Sequence, residues 1–249
     1  MGLFPVDFCP HCRGVRCTVS GEKRGMKTLL AILLSGMITM GAQNNHPKPH
    51  DPPKVLLARA NVCYEYGEHF GKPVFIRIFK EDYELELWVQ NEDREWELLN
   101  TYEIAGMSGD IGPKTKEGDE QAPEGFYRVY PKNMNPYSNY HLAFNVGYPN
   151  KYDRAHGRTG GLIMVHGSDV SLGCFAMTNE KVEEIYTLVN EAFKAGVKSV
   201  PVQVYPFRMT DKRMEQEKLS PHYAFWQHIR PGYLYTEEHN APYPDTDSQ

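Results

Sequence analysis

Glu84-Leu85-Glu86-Leu87-Trp88-Val89-Gln90 alternates apolar and charged side chains around Trp88, with Leu85, Leu87 and Val89 on one face. A period of two is the signature of a half-buried β-strand, since successive side chains point to opposite faces. Six further segments read the same way: 73–80, 96–105, 126–130, 141–146, 161–166 and 200–205. Residues 161–165 (GLIMV) are apolar throughout apart from glycine, as expected of a central strand covered on both sides. One helix stands among them. Val182, Ile185, Tyr186, Val189 and Phe193 recur at three- and four-residue steps, Thr178 or Asn179 can cap the start and Gly196 can end it. Its apolar face reads as core packing. Seven strands and one strong helix predict an α+β fold, mostly β: a mixed β-sandwich or half-barrel with one packed helix.

The flanks follow from composition. Residues 27–42 run Lys27, then an apolar stretch from Thr28 to Met40, then Gly41 and Ala42. That is the build of a secretory signal peptide, too short to be a comfortable membrane span. Met26 is the expected true start, which makes 1–25 a misassigned upstream extension. Cys9-x-x-Cys12 with Cys17 and His11 is a weak zinc-knuckle alternative, because no second spaced pair accompanies it. Residues 43–68 read as a Pro-rich linker and lead-in, 69–205 as the catalytic domain. Residues 206–249 form a C-terminal extension, with short helices expected at 209–219 and 221–229 and a frayed tail. The expected location is therefore outside the cytoplasm, in the periplasm or cell envelope, with no membrane attachment after cleavage.

Charge narrows the partners. Twenty-seven basic against 32 acidic residues give −5, and no basic block is present. A nucleic-acid surface needs clustered Lys and Arg, so nucleic acid is not the expected partner. Only Cys63 and Cys174 follow the leader. In an oxidising compartment they could pair, or one could be a thiol kept for chemistry.

The densest chemical signal is Val165-His166-Gly167-Ser168-Asp169-Val170-Ser171-Leu172-Gly173-Cys174-Phe175-Ala176-Met177. A His ending a strand, followed by a Gly-flanked Cys ahead of a helix, suits a nucleophile and its base. A thiolate is the reactive form, and an imidazolium or helix amino terminus lowers its pKa. Gly173 allows close backbone approach and can aim N–H groups at an oxyanion. Asp169 is read as a turn residue. A zinc site on His166, Asp169 and Cys174 lacks known ligand spacing.

This segment resembles the active-site motif of the murein L,D-transpeptidase family (YkuD domain), in particular its YafK-like branch. Pro123-Glu124-Gly125-Phe126-Tyr127, Phe144 to Arg154 (FNVGYPNKYDR) and Pro206-Phe207-Arg208-Met209-Thr210 carry the similarity further, from about 69 to 235. The resemblance implies Cys174 as nucleophile and His166 as base, supported by Gly167 and Gly173. A backbone carbonyl of Gly167 or Ser168 would orient the imidazole. It implies a peptidoglycan stem peptide as substrate, with His141, Arg154, Arg158 and Ser171 as candidate substrate contacts, no cofactor and no metal. Leu172 and Ala176 stand where the broader family has His and Arg. Without that Arg, a substrate carboxylate must be held by another cation, Arg154, Arg158 or Arg208 being the candidates. Acyl transfer through a thioester is the expected activity. Hydrolysis of a diaminopimelate-linked amide is the alternative, and a noncatalytic peptidoglycan-binding module is the reading from a different class.

Overall fold

The computed structural model describes residues 51–244. The expected signal peptide, the expected upstream extension and the Cys9–Cys17 cluster lie outside the described residues.

Alternation on the strands explains how one sheet can serve two cores. β1 (Val74–Phe79) is buried along its whole length. Val74, Ile76 and Ile78 enter the main core, whereas Phe79 enters a second cluster. β2 (Glu84–Gln90) repeats the pattern: Leu85, Leu87 and Val89 point into the main core. On its other face Glu86 sits opposite Arg77 in register and accepts from that guanidinium at 3.2 Å. β3 (Trp96–Glu103) is a largely exposed edge. With β4 (Gly125–Val129) and β9 (Val200–Tyr205) these strands make a five-stranded sheet in the order β3-β2-β1-β9-β4. Only the β1–β9 pair in it is parallel.

A second sheet has the order β5-β6-β7-β8, from β5 (Met134–Asn135), β6 (Ala143–Asn145), β7 (Met164–His166) and β8 (Phe175–Ala176). Here β7 and β8 are parallel neighbours. The stretch 161–165 departs from the reading as a buried strand. Gly160 and Leu162 have left-handed backbones (φ 93° and 56°), and Leu162 is 77% exposed, so the chain turns there and enters the sheet only at Met164.

Two helices precede the one expected from periodicity. α1 (Pro53–Tyr66) corrects the reading of 43–68 as linker and lead-in. Pro53 is tolerated in the first turn, and Val55, Ala58, Val62 and Tyr66 bury one face. α2 (Lys151–Ala155) has a capping box between Asn150 and Asp153. α3 (Asn179–Lys194) is the helix expected from periodicity. Thr178 caps it, and Val182, Ile185 and Val189 are fully buried, each contributing roughly 1.5–3 kcal/mol of transfer free energy. Arg59 of α1 pairs with Glu191 of α3 at 3.0 Å.

The outer face of the five-stranded sheet is closed by the C-terminal segment, α4 (Asp211–Gln216) and α5 (Tyr223–His239). Phe79, Tyr205, Phe207, Trp226, Ile229 and Tyr233 form the second core. α5 runs ten residues further than the expected 221–229 and contains Pro231. Burial of Tyr233 and Thr236 beyond the proline offsets the lost backbone bond. No described helix is long and apolar enough to cross a membrane.

Candidate active site

Parallel pairing of β7 with β8 brings the two ends of the motif together. Val165 lies opposite Phe175 and His166 opposite Ala176, so 167–174 is a crossover that returns Cys174 to the side of β7. The Met164 N–H points at Cys174 Sγ at 3.4 Å, and the thiol faces the Leu162 carbonyl at 3.7 Å. Cys174 is a free thiol, so it is not paired with Cys63, which is buried in α1. The Cys174 N–H donates to Ser171 Oγ at 3.0 Å. Gly173, at φ 78°, donates its N–H to Ser108 Oγ at 2.7 Å, and Ser108 in turn donates to the Glu120 carbonyl at 2.6 Å. A crossed pair of hydroxyls thus locks the turn that presents the thiol.

His166 is almost fully buried. Its Nδ1 donates to the Gly167 carbonyl at 2.5 Å, a pattern that assigns the proton to Nδ1 and leaves Nε2 as the basic nitrogen. The Tyr140 ring lies 4.9 Å from the imidazole. Gly167 is closely packed: a Cβ there would sit 2.6 Å from Asn179 Oδ1 and 2.9 Å from the Tyr140 carbonyl. Its N–H donates to the carbonyls of Tyr140 and Leu142. The carbonyl that holds His166 therefore belongs to a residue with no room to move.

Burial pushes the Cys174 thiol above its usual range, against the pull of the Met164 N–H, Ser171 and Lys114. Burial likewise lowers the His166 imidazole, more than its bond to Gly167 raises it. Desolvation thus works against the charged form of each group. The lowered thiol pKa expected from a neighbouring imidazolium or helix amino terminus is not what this environment produces, because desolvation disfavours both charged forms.

The thiol opens onto a cleft of about 280 Å³, walled by Leu162, Ile163 and Leu172, with Lys114, Glu117 and Glu120 at its sides. The long loop between β3 and β4 supplies these charges. Lys114 was not among the expected cations; the only sequence signal for it was its place in that long irregular stretch. The expected substrate contacts are scattered. Ser171 is at the nucleophile. His141 opens onto a different concavity, with Nε2 2.8 Å from Glu183 Oε1. Arg154 lines a third with Arg128 and Lys132, and donates to the Pro149 carbonyl. Arg158 is held by Asp153 at 2.7 Å, its guanidinium over the Phe225 ring at 4.4 Å. Arg208 is taken by Glu84 and Glu86 on the outer face of the large sheet. Asp169 is exposed, its carboxylate beside the Ser168 hydroxyl. Among the described residues no group of three or more His, Cys, Asp and Glu is arranged to hold a metal.

A mixed α+β fold with a His ending one strand and a free Cys just ahead of its parallel neighbour is the frame into which sequence comparison fits. The model of the YkuD L,D-transpeptidase catalytic domain matches residues 73–204, and the chain belongs to that family. It is 46% identical over 182 residues to the Escherichia coli (strain K12) protein named "Putative L,D-transpeptidase YafK", covering 73% of this chain and 74% of that one. Among solved structures it is similar to the helical cell shape determining protein Pgp2 of Campylobacter jejuni, at 24% identity and a TM-score of 0.41, over 63% of this chain and 59% of that one. It is also similar to L,D-transpeptidase 1 of Mycobacterium tuberculosis, at 13% identity and a TM-score of 0.31, over 54% and 62%.

Proposed function

We propose that this chain is an exported cysteine enzyme of the cell envelope that acts on peptidoglycan stem peptides through a Cys174 thioester. The observation that carries the reading is the free Cys174 thiol, immediately before the strand that pairs with that of His166, whose Nδ1 is anchored and whose Nε2 is left as a base. His166 Nε2 takes the thiol proton as Sγ bonds to the carbonyl carbon of a diaminopimelate-type residue. Collapse breaks the C–N bond, and His166 returns the proton to the leaving amine. The thioester then passes its acyl group to an acceptor amine, or to water, which frees the thiol.

Transfer is the family-level activity and hydrolysis is the second reading, favoured by one observation. Ala176 is fully buried and paired in β8, so the place of the family's Arg carries no cation toward a substrate carboxylate. Digestion of purified sacculi with wild type and Cys174→Ala, products read by mass, tests the reading. Loss of all product peaks with Cys174→Ala is expected, and unchanged digestion by that variant overturns it. Adding a D-amino acid to a disaccharide-tetrapeptide separates the two activities: exchange of the terminal residue means transfer, release without exchange means hydrolysis.

A further inference from the structure

The two carbonyls that receive the Gly167 N–H belong to Tyr140 and Leu142, at 3.0 and 3.2 Å. The same short segment lays the Tyr140 ring 4.9 Å from the His166 imidazole. Gly167 uses its own carbonyl to anchor Nδ1, so the base inherits whatever position the 138–142 segment takes. That segment is irregular, and His141 within it has a left-handed backbone at φ 67°. A residue other than glycine keeps such a conformation only where its surroundings enforce it.

The enforcement comes from α1. Lys54 Nζ donates to the His141 carbonyl at 2.6 Å and to the Ser138 carbonyl at 3.2 Å. Ser138 Oγ accepts the Tyr140 N–H at 3.0 Å. A second tie runs from α1 through α3: Asn61 Nδ2 donates to Glu183 Oε2 at 3.2 Å, and Glu183 Oε1 meets His141 Nε2 at 2.8 Å. One ammonium thus bridges the two sides of the turn that carries Tyr140, with a charge-assisted bond on each. Lys54 is half-buried and lies ahead of residues 73–204, the span of the family match.

We infer that Lys54 is a positioning residue for the base: it fixes the turn at 138–142 and, through the Tyr140 and Leu142 carbonyls, fixes Gly167 and with it the His166 imidazole. The inference rests on the reading of His166 as the base of Cys174. It adds that the helix ahead of the catalytic span completes the site. Lys54 acts through backbone carbonyls and not on the reacting atoms. Displacing a reacting group by about 1 Å costs on the order of 100-fold in rate, so an anchor two contacts removed from the imidazole has room to matter.

The imidazole can be observed without turnover. Nitrogen-15 NMR, with the His166 signals assigned by their loss in His166→Gln, reads which ring nitrogen carries the proton and how fast that proton exchanges. Wild type should show the Nδ1–H form with a slowly exchanging proton. Lys54→Met should mix the tautomers and speed the exchange. It should also lower kcat on a disaccharide-tetrapeptide about 10- to 100-fold, with KM near that of wild type. Lys54→Arg, which keeps a charged donor, should recover most of both. Arg59→Met is the control: it cuts another tie of α1, the 3.0 Å pair with Glu191, and should move neither the imidazole signals nor kcat. If Lys54→Met does not fold, Lys54→Gln takes its place and should show the same changes. Wild-type imidazole signals in the Lys54 variant overturn the assignment. So does an Arg59→Met loss of kcat as large as that of Lys54→Met, or a Lys54→Arg variant no better than Lys54→Met. Failure of the functional reading shows elsewhere, as turnover that survives Cys174→Ala, and the spectra then still decide for Lys54.

Discussion

Trp226 donates its indole N–H to Glu124 Oε2 at 2.8 Å, and this bond joins the C-terminal helix to the loop that lines the thiol cleft. Glu124 also accepts from the Gly112 N–H at 2.6 Å and from Lys80 Nζ at 3.0 Å. Lys80 in turn donates to the carbonyls of Gly112 and Ala122. The two ends of the segment 112–124 are thereby gripped by one buried ion pair, with Lys114, Glu117 and Glu120 displayed between them. Burying such a pair contributes little net stability by itself, but breaking it leaves an uncompensated charge.

Trp226→Phe keeps most of the volume and removes the donor. We expect a loss of about 1–3 kcal/mol, the cost of leaving a buried acceptor short of a partner, measured by denaturant unfolding. Lys80→Met should cost more, roughly 3–5 kcal/mol, because Glu124 then keeps its charge unpaired. Equal stability of both variants with wild type would show that the node does not hold the loop.

Cys174→Ala and His166→Ala should each lower turnover by several orders of magnitude, as removal of a nucleophile or its base does, while circular dichroism stays that of wild type. Near-normal product release from sacculi by either variant would remove that residue from the mechanism.

Gly167→Ala should cripple turnover through His166. The new Cβ would sit 2.6 Å from Asn179 Oδ1 and 2.9 Å from His141 Cβ, so the backbone must shift and carry with it the carbonyl that holds Nδ1. The kcat should fall more than KM rises. A variant with wild-type kcat would show that this carbonyl does not orient the base.

The pH dependence of the thiol follows from its burial. Because the Cys174 pKa is raised, alkylation of folded wild type should be slow at neutral pH and climb through the alkaline range, later than for a free thiol. Lys114→Gln should delay the climb further, since Lys114 favours the thiolate. For His166 the sign is opposite: its folded pKa lies below the ordinary 6.5, so its contribution to stability is present above that value and is lost as pH falls through the folded pKa. An alkylation rate already at its plateau below neutral pH would mean a resting thiolate–imidazolium pair instead.

Much of this was legible in the chain because it is encoded locally. Each of the seven segments carries a strand, though 161–166 only from Met164 and 141–146 only at 143–145; Val182 to Val189 mark the packed helix, and one crossover between parallel strands links His166 to Cys174. The periodicity of apolar side chains states which face of an element is buried, and a short crossover keeps nucleophile and base near each other in sequence as well as in space. What covers a buried face is a different matter. The face of β1 that carries Phe79 meets Trp226 and Tyr233 from α5. The helix at 53–66 gained its role only by meeting α3. Ser108 reaches Gly173 across 65 positions. Lys114 looks like any loop lysine until the grip of Lys80 and Glu124 folds its loop against Cys174. Desolvation moves the thiol pKa up and the imidazole pKa down, against the expectation from neighbouring charge. Pairing of distant segments and exclusion of water depend on which surfaces finally meet, so tertiary structure alone decided them.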